Sequence, residues 1–485
     1  MSKSGVRVGA APFPPEESRS ATQPNPQTYW RKTIFGKLPR LRVSPFLGNA
    51  CRTVWSVGVS NLTIRTNLKS AKRGFVTIKA TLLARGYLPK ELPPSFYSDA
   101  FAVFASSKSG RTLIAAHTAP GGMECVRYTL AMPGGSNRDL LIPNPIAFTK
   151  LVEISAKSFG RLLRRAHRSD ISRSGPSYVV GSHRAIIPSL KPSNLPRERA
   201  KARAGAAFVA KADVSHFYPT LYTHAVGWAI DAKLRERAHR GNRKLLGKRI
   251  DQALMDLQGK VSQGVTIGND LSFLLGEIVL GVVDRKLRRV SSNAFRWYDD
   301  YEFACDSRAD GEKILATLRQ ELGRFRLRLN PSKTKVLALP LPADDEWRHT
   351  LLESARRPLD TGKEMVSFFD SAFRLSATYP GAPVLLYALG ILFKLRYPTG
   401  AAEEVAMSCI TQALLAEPGV AQKAFALLSF WKANGMTLDA AVIAKTIEKM
   451  IAKHDATGPS SDISWALFFC LESKIALDRK SARLT

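Results

Sequence analysis

The sequence predicts an α+β fold, with a central section of short strands interleaved with helices and an all-helical C-terminal section. Between residues 207 and 338, short apolar runs bounded by turn residues alternate with stretches of helical periodicity. After Pro380, apolar residues recur at helical spacing, in segments separated by Pro- and Gly-containing turns. Size is the third observation. The chain has 485 residues, 45% of them hydrophobic. That suffices for a sizeable core and, at roughly 150 residues per domain, about three domains.

The elements follow in order. Residues 1–28 are polar and Pro-rich and predict a flexible arm. Residues 52–84 contain TVWSVGVS and GFVTIKATLLA, whose β-branched and aromatic residues predict strands. A Pro-rich connector, GYLPKELPPSF, comes next. From residue 143 to 167, Phe148, Leu151, Ile154, Phe159, Leu162 and Leu163 recur at helix-like intervals. A basic, loop-rich stretch runs on to Arg203. AFVAKADV, at 207–214, predicts a short apolar strand; 221–235 and 272–289 predict helices, the second with a basic end. Residues 294–305 predict two strands around a tight acidic turn, and 311–324 an amphipathic helix. LRLNPSKTKVLAL predicts a strand, a turn and a strand. Helices are expected near 401–416, 420–433, 438–453 and 463–477, as stacked pairs without a fixed-period repeat.

Charge narrows the partners. There are 72 Lys+Arg against 40 Asp+Glu, a formal net charge of +32 and a pI near 10.2. A surface that basic attracts polyanions, with nucleic acid the default. Thirteen of the cations fall in residues 151–212, against three acids. Cys51, Cys125, Cys305, Cys409 and Cys470 are scattered, with no CxxC, which excludes a disulfide scaffold, argues against structural zinc and fits a reducing cytosol. No apolar run approaches 18 residues and the N-terminus lacks a signal-peptide core, so no membrane partner is expected.

Three carboxylates carry the candidate chemistry. Asp213 ends the apolar strand in KADVSHFYPTLY, and Asp299 and Asp300 occupy the turn of RWYDDYEF. Asp favours turns on its own account, but adjacent acids between aromatic strands repel each other. A pair of Mg²⁺ ions would relieve that repulsion, since hard cations take one or two carboxylates plus substrate phosphates. Two ions about 4 Å apart can lower the pKa of an attacking hydroxyl and stabilise a leaving pyrophosphate.

DVSHFY resembles the first catalytic motif of reverse transcriptases, and RWYDDY their YxDD box, with Trp297 in place of the usual Tyr. LRLNPSKTKV resembles the following LNxxKT motif, and VTIGNDLSFLLGEIVL the glycine-bearing motif between the first two. All four stand in family order within residues 209–337. RGYLPKELPPSF, LLIPNP, SDISRSGPS and HFYPTLYTHAVGWAI resemble signatures of the bacterial abortive-infection and antiphage-defence reverse transcriptases. Most reverse transcriptases carry Gln before the motif glycine; Ile267 stands there instead, a departure that favours the defence group. The resemblance spans roughly residues 85–340.

The resemblance implies a right-hand polymerase: an N-terminal and fingers region at 29–205, a palm at 206–345, and a helical thumb-like and C-terminal helical-repeat region at 346–485. It implies that Asp213, Asp299 and Asp300 bind two Mg²⁺ ions, for which Mn²⁺ could substitute. Val214 would lend its backbone to the triphosphate, Tyr218 would exclude a ribose 2′-OH, and Gly268 would let backbone approach the nascent base pair. Lys333 would protonate the leaving pyrophosphate, and Arg184 and Lys191 would reach the triphosphate from the fingers. SFFDSAFRL at 367–375 is the candidate primer-grip segment. Implied partners are dNTPs, a non-coding RNA, the DNA product, and a second copy or a companion defence protein, in a bacterial cytoplasm. The alternatives are template-independent or protein-primed synthesis, an RNA-dependent RNA polymerase, and a catalytically idle RNA-binding scaffold.

Overall fold

The computed structural model describes residues 71–485 apart from 118–120, 181, 292, 396–397, 454–457, 479–480 and 482–485. The expected arm at 1–28, the expected strand TVWSVGVS at 53–60 and Cys51 lie outside the described residues. GFVTIKATLLA is not a strand: it belongs to helix α1, Ala71–Arg85. Packing overrides the β-branched composition here. Ile78 and Leu82, four residues apart, turn to the same core, and Leu82 and Leu83 are fully buried. After the connector come α2 (Asp99–Ser106) and α3 (Lys108–Ala116).

A hairpin not foreseen from the sequence follows, β1 (Val126–Ala131) paired antiparallel with β2 (Asn137–Ile142). Its loop is closed by Gly134 and Gly135 at φ +77° and +76°, a conformation that costs glycine little. The helix expected over 143–167 is two helices, α4 (Pro145–Lys157) and α5 (Phe159–Ala166), broken at Ser158. The basic stretch beyond is less loop-rich than expected. It holds a short hairpin, β3 (Pro176–Tyr178) with β4 (Ile186–Pro188), and helix α6 (Leu195–Arg203).

The central sheet is four-stranded and antiparallel, in the order β6–β7–β5–β8. Its strands are β5 (Phe208–Asp213), β6 (Ala294–Trp297), β7 (Asp300–Cys305) and β8 (Lys335–Ala338). Between β5 and β6 lie α7 (Phe217–Thr220), α8 (Thr223–Ile230), α9 (Leu246–Asp256) and α10 (Asp270–Leu287). Helix α11 (Arg308–Gly323) packs on β5, β7 and β8. Of LRLNPSKTKVLAL, the second half alone is a strand; the first half contributes an isolated bridge, Leu329 to Val214. On β7, buried Glu302 receives Arg199 and Arg203 of α6 at 2.8 and 2.7 Å, which ties that helix to the sheet.

The C-terminal section is helical from Glu346 onward: α12 (Glu346–Ser354), α13 (Gly362–Thr378), α14 (Val384–Leu392), α15 (Ala401–Ala416), α16 (Ala421–Ala433), α17 (Ala440–Lys453) and α18 (Ser460–Ser473). It has its own apolar core around Phe368, Phe369, Phe425, Trp431 and Phe469. SFFDSAFRL lies inside α13, with Phe368 and Phe369 facing that core rather than a primer. No described helix is long and apolar enough to cross a membrane.

Candidate active site

Strand register brings the carboxylates together. Asp213, last residue of β5, stands opposite Asp300, first residue of β7. Asp299 sits in the two-residue turn between β6 and β7 and is joined to β5 by the Val214 amide, which donates to its carbonyl at 3.1 Å. Lys333 enters from the loop before β8, and its Nζ donates to Asp213 Oδ2 at 2.9 Å. The same loop is anchored by the Asn330 amide, which donates to the Asp213 carbonyl at 2.8 Å.

The charge of this group is only partly balanced. Burial raises Asp299 above the usual carboxylate range and Asp213 adds to the rise; Lys333 and Arg138 oppose it. Asp300 keeps an exposed edge, but its carboxyl is crowded. Burial first, then Asp299 and Asp213, push it up to about 7. The hydrogen bond to Asp213 raises Lys333 in turn. Arg138, on the exposed part of β2, is a cation near the site that the motifs did not point to.

The turn itself is held from beneath. Tyr298 adopts φ +54°, unusual for a residue with a bulky side chain. Its amide donates to Ser174 Oγ at 2.8 Å and its carbonyl accepts from Arg296 Nη1 at 2.6 Å. Arg296 is fully buried and lies between Glu277 (2.9 and 3.0 Å) and Asp284 (2.8 to 3.2 Å), both on α10. Ser172 and Ser174 donate to Glu277 at 2.9 Å, while Ser169 and Tyr301 donate to Asp284 at 2.6 and 2.9 Å. Burial alone would lower the Arg296 pKa; Asp284 and Glu277 outweigh it and hold it well above its ordinary value. This network was missed from the sequence. Its signal was there: Glu277 and Asp284 are seven residues apart on one apolar helix, and such acids need a buried cation.

The remaining candidates are distributed as follows. Tyr218 lies edge-on to Phe217 at 5.0 Å between ring centres, beneath the turn, and burial, Glu277 and Asp299 raise its hydroxyl pKa. Gly276 makes room for it, since a Cβ there would stand 3.0 Å from Phe217 and 3.3 Å from Tyr218. The Val214 amide is engaged by Asp299 and not free for a triphosphate. Gly268, at φ +114°, packs against Pro89, where a Cβ would approach Pro89 Cγ to 2.6 Å. Arg184 is held by Asp270 and by the Leu88 and Gly268 carbonyls, so its guanidinium clamps the 268–270 loop to the connector. Lys191 is exposed at the start of a short turn, and no described contact joins it to the carboxylates. Ile267 packs with Leu92, Tyr128 and Leu140.

The donor set suits a hard divalent cation: oxygen ligands alone, with surplus negative charge. Among the described residues, no group of three or more His, Cys, Asp or Glu side chains is placed to hold a metal ion by itself. Asp213 and Asp299 or Asp300 fit the commoner Mg²⁺ arrangement, in which one or two carboxylates share the ion with substrate phosphates.

No protein-family model matches the chain, and no curated protein matches it. Among solved structures, apo telomerase from Candida tropicalis matches at 11% identity and a TM-score of 0.34, over 77% of this chain and 67% of that one. The Candida tropicalis telomerase in complex with a TWJ fragment of telomeric RNA matches at 11% identity and 0.32, over 82% and 70%. The corresponding Candida albicans complex matches at 11% identity and 0.29, over 76% and 69%.

Proposed function

We propose that the chain is a nucleotidyl-transferring polymerase of the reverse-transcriptase type, extending a primer hydroxyl with dNTPs on an RNA template. The observation that carries this reading is the register pairing of Asp213 with Asp300, with Asp299 in the adjoining turn and Lys333 bound to Asp213. Divalent metal, when bound, would supply activation of the attacking hydroxyl and neutralisation of the leaving pyrophosphate. Asp213 and Asp299, with Asp300 beside them, would hold it. The chain's own part is positioning. The Arg296 network fixes the turn, Tyr218 stands beneath it as a wall against a 2′-OH, and Lys333 holds a proton at Nζ for the departing phosphate.

The resemblance of RGYLPKELPPSF, LLIPNP and SDISRSGPS to defence enzymes supports a bacterial antiphage role with a dedicated non-coding RNA, in the cytoplasm. The basic composition supports the RNA partner. Ile267 favours a second reading, template-independent or protein-primed synthesis: its side chain is spent in an apolar cluster and offers no hydrogen bond to a base pair.

The test is Mg²⁺-dependent incorporation of each labelled dNTP by protein purified with its co-purifying nucleic acid, with and without RNase. Incorporation abolished by RNase supports RNA-templated synthesis, and incorporation surviving RNase supports the second reading. An Asp299→Ala/Asp300→Ala variant that folds yet still makes DNA would remove the site assignment. Incorporation of ribonucleotides alone would identify an RNA polymerase, and none at all a scaffold.

A further inference from the structure

A basic surface lies on α5 and the C-terminal end of α10. The two helices pack together, with the Ala166 and Arg165 carbonyls 3.8 and 3.9 Å from where a Cβ on Gly281 would stand. Ser169, just past α5, donates to Asp284 of α10 at 2.6 Å, and Arg288 pairs with Asp170 at 2.5 Å. This packing sets Arg161, Arg165 and Arg168 beside Arg285 and Arg288. Few acids balance them. Asp231 is shared by Arg161 and, at 4.0 Å, Arg165; Asp170 serves Arg288; Asp284 is taken by buried Arg296.

Arg164, Arg168 and Arg285 are exposed, and their side chains make no hydrogen bond or ion pair among the described residues. Partial desolvation against the neighbouring helix, then neighbouring arginines, hold Arg165 and the more exposed Arg285 below the ordinary arginine value. Basic residues at helix C-termini are partly explained by the helix dipole, but that effect asks for one or two charges per helix, not cations crowded across both. Arginine supplies a planar, bidentate match to phosphate. Val290, 36% exposed, is the one large exposed hydrophobic residue beside the cluster among the described residues, too little for an apolar membrane face. Arg285 stands nine residues beyond Gly276, where Tyr218 is seated, or roughly 13 Å along the helix.

We propose that this surface binds the sugar-phosphate backbone of a nucleic-acid strand, as a site distinct from the carboxylate cleft. It goes beyond the polymerase reading, and its test reads binding alone. If the patch binds nucleic acid but no nucleotide is ever added, the polymerase reading fails and this one stands.

The experiment measures fluorescence anisotropy of a labelled unstructured RNA, and of the same sequence as single-stranded DNA, against the full chain over a salt series. The variant is Arg164→Gln/Arg168→Gln/Arg285→Gln. Its control, Arg237→Gln/Arg243→Gln/Lys244→Gln, removes the same charge elsewhere. Loss of three phosphate contacts should flatten the log K against log salt slope by about 2 and weaken binding on the order of 10-fold or more, at a factor of ~0.7 per contact. The control should keep the parent slope. A selective loss for RNA, for DNA or for both supports the site and names its strand. Equal losses in variant and control would make the effect one of net charge and overturn the proposal. So would a variant that binds both strands as the parent does while losing binding to phosphatidylserine vesicles.

Discussion

Replacing Arg296 with Met tests the network that holds the acidic turn. The guanidinium is 0% exposed, and its partners Glu277 and Asp284 are 2% and 1% exposed at the side chain. The substitution keeps most of the volume but leaves two carboxylates buried without a cation. Removing one partner of a buried pair costs about 3–5 kcal/mol, and the lost bond to the Tyr298 carbonyl adds to this. If the core from Leu82 to Val336 melts as one unit, the melting temperature should fall by roughly 6–20 °C, at about 2–4 °C per kcal/mol. Differential scanning fluorimetry reads the fall. The triple variant Arg296→Met/Glu277→Gln/Asp284→Asn should recover more than half of it, because Ser172, Ser174, Ser169 and Tyr301 still have oxygen acceptors. The triple variant should nonetheless add nucleotides more slowly, since nothing replaces the bond to the turn. A single variant melting with the parent, or a triple variant no better than the single, would refute the charge argument.

Other outcomes follow from individual positions. Tyr218→Val should lower discrimination against ribonucleotides by roughly 10–100-fold in single-nucleotide incorporation, the scale of a pocket contact, while leaving dNTP addition measurable. Gly268→Ala should destabilise by about 1–3 kcal/mol, seen as a lower melting temperature, because φ is +114° and Pro89 stands in the way. Burial pushes Cys125 up to about 12 and Cys409 and Cys470 up to about 11. The thiolate is the reactive form and appears only as pH approaches those values. Iodoacetamide at pH 8 should therefore label these three slowly in the folded chain and readily in urea, by peptide mass spectrometry.

The elements best read from the sequence were those whose pattern is set locally. Strand β5, the β6–β7 hairpin and helices α10 and α11 carry their periodicity and turn residues in contiguous stretches. Helix α15 was read at its observed bounds, Ala401–Ala416. Helix α1 was misread because Val, Thr and Ile favour strands where nothing else intervenes, and the partners that make it helical lie in α2 and α4. Hairpin β1–β2 has an exposed outer face and little apolar alternation, so its pairing is visible only in three dimensions. At the site, the motif order named Asp213, Asp299, Asp300 and Lys333. It could not show that Arg184 would be consumed by Asp270, nor that the SDISRSG segment straps β6 to α10. Both depend on contacts across some 85 to 125 residues of sequence.

The C-terminal helices are joined to the site through that same hairpin. Helix α18 packs on β1. Ser461 Oγ accepts from the Ala131 amide at 3.0 Å, Ser464 bonds the Tyr128 hydroxyl at 2.9 Å, and Trp465 Nε1 donates to the Glu91 carbonyl at 2.8 Å. On the hairpin's other strand, the Leu141 amide donates to the Ile267 carbonyl at 3.2 Å, and Arg138 exerts its charge on Asp299. A run of contacts thus connects α18 to the loop before α10, and from the same hairpin the charge of Arg138 acts on the acidic turn. Ile267 belongs to that run, filling the small cluster of Leu92, Tyr128 and Leu140 beneath the hairpin. Ile267 is half-buried there and ties the hairpin to the loop before α10 twice, through its side chain in the cluster and its carbonyl on the Leu141 amide.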